Sequence, residues 1–202
     1  MKRMLLFGFV SLATLVAGIL ILRPSPVRAS DVSQANDAID KVRIGFAISP
    51  VRLNLEGKSA VLVGLGSYIV NAQGGCVDCH SCPTYQPGHN PFPPPVGTNS
   101  DGKLNAANYL AGGVPFPLPP PVGTIASRNL TPDASGVPAG ITFQQFLTAM
   151  RSGADPHNPA VRLTVMPWPT YGKMTLGDLR AVYEFLRAIP PAQPGSCVVT
   201  GQ

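Results

Sequence analysis

A mainly α fold, three or more short helices joined by long proline-rich loops and preceded by an extended N-terminal arm, is what this sequence predicts. Three observations carry the prediction. Two stretches, 143–152 and 175–188, repeat apolar residues at helical spacing behind a threonine suited to cap a helix. The chain holds 23 prolines and 21 glycines among 202 residues, which implies long irregular connections without reaching the level of low-complexity disorder. Finally, Cys76-Val77-Asp78-Cys79-His80 spells C-x-x-C-H, the attachment pattern of a c-type haem.

The motif has a mechanical reason. Two thiols three positions apart can each add to one of the two vinyl groups of a porphyrin, and the histidine directly after them then lies under the iron as proximal ligand. One covalent haem c on Cys76, Cys79 and His80 is therefore expected. A redox disulfide or half of a zinc site would not need a histidine at that one place.

In chain order, the first 29 residues carry Lys2 and Arg3, an apolar run over 4–22, and Val27 and Ala29 at positions that suit a signal peptidase. They read as a secretory leader, so export to the periplasm is expected. If the leader stays uncleaved, residues 4–22 are long enough to anchor the chain in the inner membrane, facing the periplasm. The formal net charge is +5, from 15 basic and 10 acidic residues, but Lys2, Arg3, Arg23 and Arg28 belong to the leader. Eleven basic residues then face ten acidic ones. A near-neutral chain with no basic stripe gives no reason to expect a nucleic-acid partner.

Residues 30–40 are polar and weakly patterned, as in a tether. Over 44–55 the apolar residues alternate around Pro50, which reads as an extended arm or edge strand. The apolar run 58–72 reads as a helix. Its Gly64 and Gly66 disfavour an exposed helix and point to a second helix crossing close to the backbone. No third glycine follows at the right place and no strand precedes the run, so it is no dinucleotide fingerprint.

After the motif, 83–97 and 114–124 are proline-rich and echo one another, which stiffens long loops. Residues 105–110 allow a turn or two of helix. Arg128 to Asp133 forms a turn through Pro132-Asp133. Thr142 caps the helix 143–152, where Phe143, Phe146, Leu147 and Met150 share one face and Gly153 is the stop. The segment 154–171 reads as a loop. Thr175 and Asp178 form a capping box for the last helix, with Pro190-Pro191 beyond its end. The expected division is thus a leader over 1–29, tether and arm over 30–56, a domain over 57–191 and a tail over 192–202.

The sixth iron position decides the function. Met150 sits on a helical face with core residues, and Met174 directly precedes a helix cap. Met166 lies in a loop pinned by Pro167 and Pro169 and is the best placed of the three, with His157 as a nitrogen alternative. A soft thioether closes the site to small molecules and suits outer-sphere electron transfer. An open sixth position would instead mean a haem enzyme or a small-molecule sensor. Trp168 and Tyr171 follow closely enough for their N–H and O–H to reach the haem propionates, although both also suit a core.

The glycine-bearing helix, C-x-x-C-H, Asn129-Leu130-Thr131-Pro132-Asp133, Met166-Pro167-Trp168-Pro169 with Tyr171, and the final amphipathic helix together resemble the class I cytochrome c family. The resemblance covers roughly residues 57–191. It is strongest to bacterial periplasmic cytochromes related to the haem subunits of membrane-linked dehydrogenases. It implies a cytochrome c fold around one haem and electron transfer between redox partner proteins rather than catalysis. It also implies His80 and Met166 as axial ligands and Cys76 and Cys79 as thioether anchors. A crossing of the first and last helices would pair Gly64 or Gly66 with Tyr183 or Phe185, and by family position Arg128 is the counter-charge to a propionate. The chain departs from its relatives in having a single C-x-x-C-H and two proline blocks.

Cys82 and Cys197 remain, and in an oxidising compartment two leftover cysteines tend to pair. A competing use, C-x2-C-x2-C with Cys197 as a fourth ligand to an iron-sulfur cluster, leaves His80 without a role and lacks a twin-arginine leader.

Overall fold

The computed structural model describes residues 29–92 and 100–197. Residues 1–28 of the expected leader with its apolar run 4–22, residues 93–97 at the end of the first proline block, and residues 198–202 of the expected tail lie outside the described residues. Among the described ones there are six α-helices and two short β-hairpins.

Helix α1 spans Ala29–Ile48. This corrects the expected tether and the first half of the expected extended arm. Val42, Gly45 and Phe46 recur at helical spacing, and they seat α1 on the next helix. A Cβ on Gly64 would meet the Val42 and Phe46 side chains, and one on Gly45 would run into the Gly64 carbonyl. The buried Ser67 hydroxyl donates to the Gly45 carbonyl at 2.6 Å. Over five residues, the alternation at Ile44, Phe46 and Ile48 mimics a strand. Pro50 ends α1, because the residue before a proline avoids helical dihedrals. The remaining arm crosses the end of the last helix, where the Asn54 N–H donates to the Ala188 carbonyl at 2.8 Å.

Helix α2, Ala60–Tyr68, starts at Ser59, whose hydroxyl accepts from the Leu62 N–H. It runs into a wider π-helical turn over Ile69–Gln73 and then into α3, Cys76–His80. A short 3₁₀ turn, Ala106–Asn108, follows. Helices α4, Phe143–Ser152, and α6, Leu176–Ala188, each begin with a reciprocal capping box, Thr142 with Gln145 and Thr175 with Asp178. Each box satisfies two orphan backbone donors, and the polar cap opens an amphipathic helix in both cases. Gly153 closes α4 with φ of 68°, a conformation that costs glycine nothing.

The α2–α6 crossing forms the centre of the core. A Cβ on Gly66 would collide with the Ala181 carbonyl and the Phe185 Cβ, so the missing side chain sets how closely the helices approach. Gly66 is thus the glycine that meets α6, at Phe185, while Gly64 serves α1. Phe185 is fully buried and meets Tyr109 edge-on, with ring centroids 6.5 Å apart.

Both segments read as plain loops contain hairpins. β1, Pro115–Pro117, pairs antiparallel with β2, Thr124–Ala126, with Phe116 opposite Ile125. β3, Ala154–Asp155, pairs with β4, Asn158–Arg162, across a bulge. Pro115 and Pro117 lack N–H donors but flank Phe116, so a short two-stranded pairing accommodates them where a central strand would not.

Candidate cofactor site

The chemistry gathers around α3. Its entry is Gly75, held left-handed at φ of 57°. Just before it the π-helical turn closes with the Gly74 N–H on the Ile69 carbonyl at 2.7 Å. Cys76 and Cys79 lie three positions apart on this one helical turn, so their thiols share a face. Burial pushes the Cys76 thiol up to about 11, and burial followed by the nearby Asp78 carboxylate pushes Cys79 up as well. Both sulfurs are therefore held as neutral thiols. Burial also lowers His80 below the ordinary histidine value, against a smaller opposing effect of its backbone partner.

That partner fixes the ring. His80 Nδ1 lies 2.8 Å from the Arg128 carbonyl oxygen. A carbonyl only accepts, so Nδ1 carries the proton and Nε2 keeps its lone pair, the arrangement a metal-ligating imidazole needs. The acceptor is itself held in place. The Gly112 N–H donates to the His80 carbonyl at 2.7 Å, and the absent Gly112 side chain is what lets the Arg128–Asn129 peptide come close.

Cys76, Cys79 and His80 open into a predominantly apolar cavity of about 660 Å³. Its walls include Ile69, Phe116 and Ile125 of the first hairpin, Phe146 of α4, the 161–167 segment and Tyr171. Met166 lines it, as do Met150, Met174 and His157, the other candidate ligands. Two thiols on one helical turn, an imidazole with a free Nε2 and an apolar chamber of small-molecule size fit a covalently attached porphyrin.

The remaining candidates differ in how they meet the cavity. Tyr171 lines the cavity, but its hydroxyl donates to the Gly74 carbonyl at 2.6 Å, which takes up its single proton. Trp168 is not among the lining residues. Its indole fills the space left by the missing side chain of Gly153, so it anchors the short helix α5, Trp168–Tyr171, onto the end of α4. Arg128 lines the cavity with its guanidinium tied to Asp155 at 2.6 Å. Arg162, in sequence only a basic residue in a loop-like segment, lines the same cavity and donates to the Ser152 carbonyl at 2.8 Å.

Cys82 and Cys197 are joined by a disulfide, with Cα atoms 5.4 Å apart. The bridge removes two of the four thiolates that the iron-sulfur reading required. Among the described residues no helix is long and apolar enough to cross a membrane.

The chain is similar to the gluconate 2-dehydrogenase cytochrome c subunit of Pantoea cypripedii, 30% identical over 131 residues, 64% of this chain and 24% of that protein. It is also similar to the cytochrome c subunits of the quinone alcohol dehydrogenases of Gluconacetobacter polyoxogenes and Komagataeibacter europaeus. Each is 31% identical over 137 residues, 67% of this chain and 24% of the relative. The chain thus spans about a quarter of the length of these curated relatives. No protein-family model matches it, and no solved structure matches it. Motif and relatives alike make the chain cytochrome c-like, similar to part of the cytochrome c subunits of dehydrogenases.

Proposed function

We propose that the chain is an exported class I cytochrome c that carries one covalent haem c with His80 and Met166 as axial ligands. It passes electrons between redox partner proteins at the periplasmic face, as a free carrier or as a subunit of a dehydrogenase complex. The observation that carries this reading is the His80–Arg128 contact, which leaves Nε2 with a free lone pair at the wall of an apolar chamber that the Cys76 and Cys79 thiols also line.

The bound haem would supply reversible one-electron chemistry. Cys76 and Cys79 would fix its edge to α3, and His80 would hold the iron from one side. Met166 would close the other side with a soft sulfur that favours the reduced state and keeps small ligands out. The aliphatic and aromatic walls exclude water, which raises the cost of charging the site and so tunes its potential.

A pyridine haemochrome spectrum of the purified protein, combined with its intact mass, tests the attachment: one haem bound covalently is expected. In the ferric protein, a band at about 695 nm marks thioether ligation, and Met166→Ala should abolish it while Met150→Ala and Met174→Ala retain it. A Met166→Ala spectrum identical to the parent's would transfer the assignment to a haem enzyme or sensor with an open position.

A further inference from the structure

Met166 stands two residues before α5, so whatever fixes α5 also fixes the thioether. Two of its fixings lead only to α4. The Trp168 indole lies where a Gly153 side chain would be, and Gly172 packs on the Met150 carbonyl beside Arg151, whose guanidinium donates to the Gly172 carbonyl. The third leads across the site. The Tyr171 hydroxyl donates to the carbonyl of Gly74, 97 positions earlier in the chain, at the turn that delivers Cys76. Tyr171 also lines the cavity, together with Cys76 and Cys79. It is thus the one side chain of α5 bonded directly to the segment that bears the attachment motif.

From this bridge we infer that Tyr171 is a positioning residue for the sixth ligand: its hydroxyl ties the Met166 segment to the haem-attachment turn and so sets how readily the thioether leaves the iron. The inference rests on the His80–Met166 reading above. The phenol touches neither donor atom in this role. It acts through the backbone at Gly74 and through α5, so removing the hydroxyl leaves the ring packing in place and loosens only the tether. A neutral hydrogen bond of this kind is worth a few-fold in an equilibrium constant.

The test is a titration of the ferric holoprotein with imidazole, which competes with the thioether for iron. Tyr171→Phe should bind imidazole about 3- to 10-fold more tightly than the parent, with an unchanged haem-to-protein ratio. In a Met166→Ala background there is no thioether to displace, so the same Tyr171→Phe change should leave imidazole affinity unaltered. Equal affinity in the parent and Tyr171→Phe overturns the inference, and so does an equal gain in both backgrounds, which would mean general loosening of the site. A parent without the thioether band fails the axial-ligand reading itself, and is recognised before any Tyr171 variant is made.

Discussion

The imidazole of His80 donates from Nδ1 to the backbone oxygen of Arg128, 48 positions later in the chain, at 2.8 Å. Because the acceptor belongs to the backbone, the identity of residue 128 matters less than the path of the peptide, and that path depends on Gly112. Gly112 adopts φ of 74°, and a Cβ there would press on the Arg128–Asn129 peptide. Gly112→Ala is therefore expected to destabilise the protein by about 1–3 kcal/mol through overpacking and to lower the fraction of chains carrying haem. Arg128→Ala, which loses an exposed ion pair but keeps the carbonyl, should cost less than about 1 kcal/mol and leave the haem yield intact. Urea unfolding with haemochrome quantitation of both variants checks the order, and a reversed order would place the control in the guanidinium.

The Arg128–Asp155 pair gives the site an acid limit. Burial pushes the Asp155 carboxyl up, but the His157 N–H and then the Arg128 guanidinium outweigh it and hold the group below the usual carboxylate range. A carboxyl depressed in the folded state stabilises fully above its unfolded pKa of about 3.9 and loses that contribution as pH falls through the folded value. Asp155→Asn should thus be less stable than the parent by at most about 1 kcal/mol near neutral pH, Arg128 being half-exposed. The gap should close below the ordinary aspartate pKa. Denaturant midpoints measured near neutrality and in acid test this, and a gap that persists in acid would assign the loss to packing.

The glycines of α2 separate two roles that look alike on paper. Gly66 meets the Ala181 backbone of α6, while Gly64 meets chiefly side chains of α1. Gly66→Ala is expected to strain the central crossing by about 1–3 kcal/mol and to disturb the cavity wall formed by Ile69 and Val182. Gly64→Ala should instead release α1, and amide hydrogen exchange would show faster exchange confined to residues 41–48 with the haem spectrum unchanged. Faster exchange spread through α6 in Gly64→Ala would contradict this division.

These cases show what the sequence could carry. Helices α4 and α6 were legible because capping is local: a threonine, its partner three residues on, and a face of apolar residues lie in one short window. The haem motif is legible for the same reason, since its three donors occupy five consecutive positions. Helix α1 was not, because half of it is polar, and its docking stripe becomes meaningful only opposite Gly64 and Ser67. The hairpins depend on pairing across loops, Phe116 with Ile125 and Ala154 with Arg162, that no local pattern announces. Trp168 and Tyr171 stood close to Met166 in sequence, and that closeness suggested propionate contacts. Their partners, Gly153 and the Gly74 carbonyl, are tertiary facts.

The tail shows how a covalent link and a set of weak contacts divide their work. The Cys82–Cys197 bridge spans 115 positions and in the chain-entropy view stabilises by up to about 5 kcal/mol. The tail before it is held independently. The Gly195 N–H donates to the Ala111 carbonyl at 2.9 Å, Asn129 Nδ2 donates to the Ala192 carbonyl at 2.8 Å, and the Ala192 N–H donates to Thr131 Oγ1 at 3.0 Å. Gly113 has no side chain where the Gly195 carbonyl approaches. Neither cysteine of the bridge lines the cavity, so Cys197→Ser should lower the melting temperature strongly while the native protein keeps its haem spectrum. With the haem held ferrous in both proteins, a disulfide reductant added to the parent should reproduce the same shift and have no effect on the variant. Loss of the spectrum at temperatures where Cys197→Ser is still folded would instead make the bridge part of the haem pocket, acting through Gly112 on the His80 carbonyl.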